Sequence, residues 1–95
     1  MKQNKLISRA LSFASFLVDR IEVESIILFG SVAQNNFDNE SDIDIFIDTN
    51  KKNQEKINNF LELYKKTEEY EKFRLEGVNN EISLKIGKLD EWKDL

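Results

Sequence analysis

Between residues 42 and 48 the chain reads Asp-Ile-Asp-Ile-Phe-Ile-Asp, so acids alternate with apolar side chains at a period of two. Side chains on an extended strand point to opposite faces in turn. The run is therefore satisfied by a strand that buries Ile43, Ile45 and Ile47 on one face and turns its acids to the other. A helix would scatter the same residues around its circumference. At 95 residues, with 40% hydrophobic and 34% charged residues, the chain has apolar material for one core and not for two. The strand must belong to a single domain spanning residues 1–95.

The remaining elements follow from the same periodicities. Over residues 5–20, Leu6, Ala10, Phe13 and Leu17, flanked by Ile7, Leu11, Ala14 and Val18, mark a broad helical stripe. Residues 23–29 are rich in β-branched and aromatic side chains and end at Gly30-Ser31, a buried strand stopped by a turn. The polar stretch 32–41 has room for one helical turn. Residues 51–72 read as a second helix, with Ile57, Phe60, Leu61 and Tyr64 inward and Glu62 to Lys66 and Glu68 to Lys72 available as surface pairs. Residues 73–78 are open between a helix end and a strand. Gly77 and Asn79-Asn80 form a turn, and 81–86 alternates again with Ile82, Leu84 and Ile86 on one face. Residues 89–95 are expected to form a short last helix whose Trp92 docks on the sheet. The class is α+β: a small mixed or antiparallel sheet with helices mainly on one face.

Composition removes whole classes of chemistry. There is no cysteine and no histidine, so thiolate nucleophiles, disulfides, Ser-His dyads and the commonest zinc ligand are excluded. What remains is carboxylates, hydroxyls, lysines and backbone amides. The net charge of −4 is unevenly spread: Asp38, Glu40, Asp42, Asp44 and Asp48 lie between 31 and 50 with no Lys or Arg among them. A uniformly basic, phosphate-tracking surface is thereby ruled out. No apolar run approaches a membrane span and the N-terminus lacks a signal-peptide core, so a cytoplasmic location without membrane partners is expected.

Twelve residues separate the first two strands. A parallel crossover needs at least about that many with a helix of its own, whereas antiparallel pairing does not. Antiparallel pairing brings the end of one strand beside the start of the next, and Gly30-Ser31 then meets Asp42 and Asp44 at one edge. Two like charges side by side repel unless a cation sits between them. Their oxygens favour a hard ion, Mg²⁺ or Mn²⁺, which takes further ligands from water and phosphates. The bland alternative is an ordinary amphipathic strand. A calcium loop counted from Asp38 fails, with Ile43 at the sixth position and Thr49 at the twelfth. A Walker loop fails for want of a second glycine and a lysine. Glycine lets phosphate approach the backbone, and a serine hydroxyl can donate to it.

Phe29-Gly30-Ser31 followed, after ten residues, by Asp42-Ile43-Asp44 resembles the signature of the DNA polymerase beta nucleotidyltransferase superfamily. It looks most like the minimal nucleotidyltransferases. The resemblance implies that Gly30 and Ser31 hold the triphosphate of an NTP, that Asp42 and Asp44 bind the catalytic metals, and that a third carboxylate on a later strand completes the set. Glu81 is the candidate for that role, with Asp48 and Asp90 behind it; Asp38, Glu40 and Asp48 are otherwise read as solvated charges. The sequence departs from many relatives by carrying Val32 where they have Arg after Gly-Ser, and Asn35 where they have Gly.

The implied activity is transfer of a nucleoside monophosphate from an NTP, ATP first, to an acceptor hydroxyl on a protein or nucleic acid, by two-metal catalysis. So short a chain has little room for acceptor recognition. The resemblance supplies an answer: a protein partner such as a helical HEPN-type toxin, against which the chain would serve as antitoxin, or a homodimer. Nucleic acid enters solely as a possible acceptor. The alternative is a weakly active or inactive nucleotide- or protein-binding module of the same fold.

Overall fold

The computed structural model describes residues 2–92. Its elements run α1 (Lys2–Val18), β1 (Ser25–Phe29), α2 (Gly30–Ala33), β2 (Ile43–Asp48), a 3-10 turn (Lys51–Asn53), α3 (Gln54–Tyr64), α4 (Glu68–Leu75), β3 (Ile82–Gly87) and a second 3-10 turn (Leu89–Glu91). The strand order is β1-β2-β3. β1 pairs antiparallel to β2, with Phe29 opposite Asp44 and Ser25 opposite Asp48. β2 pairs parallel to β3, with Ile43 opposite Ile82, Asp44 opposite Ser83 and Phe46 opposite Lys85. The sheet is mixed, as expected. Of the segment 89–95, the first three residues form the 3-10 turn and the last three lie outside the described residues.

Alternation along β2 divides the molecule. Ile43, Ile45 and Ile47 are buried in a core shared with Leu6, Phe13 and Leu17 of α1 and Ile57, Leu61 and Tyr64 of α3. Tyr64 sits among aromatic rings, 5.5 Å from Phe13 and from Phe16 and 5.6 Å from Tyr70, and its hydroxyl donates to Ser12 Oγ at 2.8 Å. Phe46 points the other way and is fully buried, with the Trp92 ring edge-on at 5.2 Å. The absent side chain of Gly87 makes room for that indole: a Cβ there would stand 2.8 Å from Trp92 Nε1.

The helix read over 51–72 is two helices. After Tyr64 the chain turns, and Thr67 restarts it: its hydroxyl donates to Tyr64 O at 2.7 Å and accepts from Tyr70 N at 3.2 Å. A threonine that satisfies the backbone in this way competes with helix continuation and caps the next helix. Glu68, Glu69 and Glu71 in the first turn of α4 suit the positive end of its dipole. The surface pairs fall elsewhere than expected, at Glu62 with Lys65 and Glu71 with Arg74. Residues 73–75 belong to the end of α4.

Arg9 is the largest fully buried side chain. Its guanidinium donates to Val78 O at 2.8 Å, Asn80 O at 3.1 Å and Tyr70 O at 3.4 Å and lies 4.1 Å from the Tyr70 ring centre. Asn80, also buried, donates through Nδ2 to Asp38 O at 3.2 Å and Ser41 O at 2.7 Å. α1 is thus tied to the approach to β3, and that approach to the loop before β2. Arg9→Met keeps the stem but leaves buried carbonyls unpaired, and is expected to cost on the order of 2–4 kcal/mol in urea denaturation. A loss below about 1 kcal/mol would mean that the carbonyls find other donors.

Candidate nucleotide site

The site is built where β1 ends and β2 begins. Phe29 is extended at φ −142°, and Gly30 then turns the chain into α2 at φ +76°. A side chain at 30 would be strained by that φ and would also collide with Asp44: a Cβ would overlap Oδ2 and stand 3.1 Å from Cγ. Gly30 and Asp44 are in direct apposition. Asp42, exposed and one residue before β2, lies close enough to act on Asp44. The Asp44 carboxyl is held above its ordinary pKa by burial and then by the charge of Asp42, with Lys85 acting in the opposite direction.

Val32, where many relatives have Arg, is fully buried in the helix-side core, and its carbonyl accepts from Gln3 Nε2 at 3.0 Å. Asn35 adopts φ +59°, a left-handed conformation that suits glycine best and asparagine better than most others. The departure at 35 keeps the turn.

The loop acids are more than solvated charges. Asp38 accepts from Glu40 N at 2.8 Å and from Ser41 Oγ at 3.2 Å, and these bonds, the backbone one foremost, lower its pKa. Asp48 accepts from Leu89 N at 3.0 Å and Ser25 Oγ at 3.4 Å, closing the far end of the sheet. Asp90 is exposed beside that far end. Glu81 Oε2 lies 3.6 Å from Lys65 Nζ, at the end of α3.

A model of the family described as Polymerase beta, Nucleotidyltransferase matches residues 12–89. The chain belongs to the polymerase beta nucleotidyltransferase family. Neither a curated protein nor a solved structure gives a significant match. The matched span contains β1, the Gly30 turn, both aspartates and β3, and membership supports nucleotidyltransferase-type activity in general. No helix among the described residues is long and apolar enough to cross a membrane.

The donor set can be tested against the metal ions such a family implies. Asp42 and Asp44 supply carboxylate oxygens, and Asp44 carries a charge penalty that a cation would relieve, which fits one hard divalent ion completed by water and phosphate. Among the described residues no three acids gather to hold an ion, and the β3 residue opposite Asp44 is Ser83. Sequence reasoning passed over Ser83 and Lys85. The alternation of 81–86 places both on the face opposite Ile82 and Ile86, but it does not say which of them faces Asp44.

The raised pKa of Asp44 has a definite sign in stability. The folded state binds the proton more tightly than the unfolded chain, so charged Asp44 opposes folding at neutral pH, and the penalty is relieved as pH falls through its folded pKa. In metal-free buffer Asp44→Asn should raise Tm at pH 7, with the gain shrinking as pH falls through the raised folded pKa and gone below the ordinary aspartate value. An unchanged Tm would show that the carboxylate is compensated in the free protein. Gly30→Ala should lower stability by about 1–2 kcal/mol through its left-handed backbone alone, and by more in so far as the added methyl displaces Asp44.

Proposed function

We propose that the chain binds a divalent cation with an NTP, ATP first, at the edge formed by Gly30, Ser31, Asp42 and Asp44, and that it transfers the nucleoside monophosphate to an acceptor hydroxyl with release of pyrophosphate. The observation that supports this is the apposition of the Gly30 turn and the Asp44 carboxylate across the β1–β2 pair. Asp42 and Asp44 would hold Mg²⁺ or Mn²⁺, which when bound lowers the pKa of an attacking hydroxyl and offsets charge on the phosphates. Ser31 and the first amides of α2, which lack partners within so short a helix, would donate to the β and γ phosphates. Holding those phosphates orients the α-phosphorus for in-line attack.

A second reading is favoured by β3. Ser83 faces Asp44, and Glu81 is engaged with Lys65, so the third carboxylate implied by the family resemblance has no counterpart gathered at this edge among the described residues. A domain with two carboxylates can bind a metal–nucleotide complex and transfer slowly, or bind it without transfer. The acceptor, on either reading, is presented by another chain, a helical HEPN-type protein or a second copy.

Mg²⁺ with ATP should raise Tm by linkage, and the Asp42→Asn, Asp44→Asn double variant should lose that rise. An equal shift in the double variant would remove the site. Incubation with α-labelled ATP, Mg²⁺ and candidate acceptors separates the readings. Label carried to the acceptor supports transfer, and a thermal shift without label supports the binding module.

A further inference from the structure

Lys85 is the one basic residue in the three strands. Its register places it opposite Phe46, on the face that carries Asp44 and Ser83. Its side chain is exposed, and among the described residues it takes part in no ion pair; Lys65, Arg74 and Lys88 do. A lysine on an otherwise neutral or acidic sheet face, near enough to act on the Asp44 carboxylate and with no ion-pair partner of its own among the described residues, is free to meet an anion brought to that edge. The nearby acids cannot serve both it and a divalent ion. A polyphosphate brings several oxygens to one place, and an ammonium on a flexible stem meets them as a point charge.

We propose that Lys85 binds the polyphosphate of the nucleotide, and that its ammonium supplies positive charge on the β3 side of the site, where Ser83 leaves no carboxylate to recruit a second cation. This rests on the nucleotide-binding reading above. One divalent ion on Asp42 and Asp44 together with Lys85 then balances the phosphates. The site uses one metal ion per nucleotide, and the lysine discriminates in favour of a nucleotide with an extended phosphate chain.

The test is Mn²⁺ binding by electron paramagnetic resonance, with and without α,β-methylene-ATP, on the full chain. The wild type should hold one Mn²⁺ per chain in the presence of the analogue. Lys85→Ala should bind the analogue about tenfold more weakly, the scale of one lost charge-assisted contact, while binding Mn²⁺ alone at least as well, since a cation beside Asp44 has been removed. Lys85→Arg should restore analogue affinity. Ser83→Asp, which adds a carboxylate opposite Asp44, should admit a second Mn²⁺. Unchanged analogue affinity in Lys85→Ala, equal weakening of Mn²⁺ alone, or two Mn²⁺ in the wild type would overturn the role of Lys85 and leave the nucleotide site standing. If the wild type binds neither Mn²⁺ nor the analogue, the nucleotide-binding reading falls and this one with it.

Discussion

The buried guanidinium of Arg9 is the tie on which the placement of everything else depends. Taking a permanent cation out of water is costly, and among the described residues no carboxylate pairs with it; three backbone carbonyls and an aromatic face meet it instead. Those carbonyls come from the first turn of α4 and from the two ends of the 78–80 turn. Arg9 therefore fixes where the chain re-enters the sheet after its two-helix excursion, and so which β3 residue stands beside Asp44. A parallel strand joined through a long connection has no tight turn to set its register. A buried contact that fastens the connection to α1 takes over that work.

The local and the distant were unequally legible in the sequence. The period-two run at 42–48, the strand ending at Gly30-Ser31 and the antiparallel return between them follow from spacing and turn chemistry, and the structure has all three. Thr67 hides its effect because a threonine within a helical pattern breaks it where its hydroxyl takes the backbone bonds, and that depends on the chain turning after Tyr64. Arg9 was visible as a charge three residues from Leu6 and four from Phe13, inside the apolar stripe of α1. Its partners, about seventy residues away, were not. The same holds for Glu81, whose pairing with Lys65 joins two segments that no local pattern relates.

The two faces of the sheet carry different duties. The isoleucines of β2 face the helices and hold the domain together. The opposite face carries the Asp44–Ser83 pair at one end and, two residues further along, Lys85 beside Phe46, whose ring meets Trp92, so polar chemistry and aromatic cover share a surface. Acids in the same twenty-residue block are divided by hydrogen bonding: Asp38 and Asp48 spend their oxygens on neighbouring amides and hydroxyls, while Asp42 and Asp44 approach each other.

Asn80 gives the stretch between α2 and β2 a property that its composition conceals. Polar surface loops ordinarily absorb insertions and deletions with little effect. This one is gripped by a single side-chain amide at Asp38 and again at Ser41, from a residue that is itself anchored to α1. A residue added or removed between those two carbonyls would break one hold or the other and shift Asp42 along the strand axis. The segment that looks most free to vary in length is the one whose length is set.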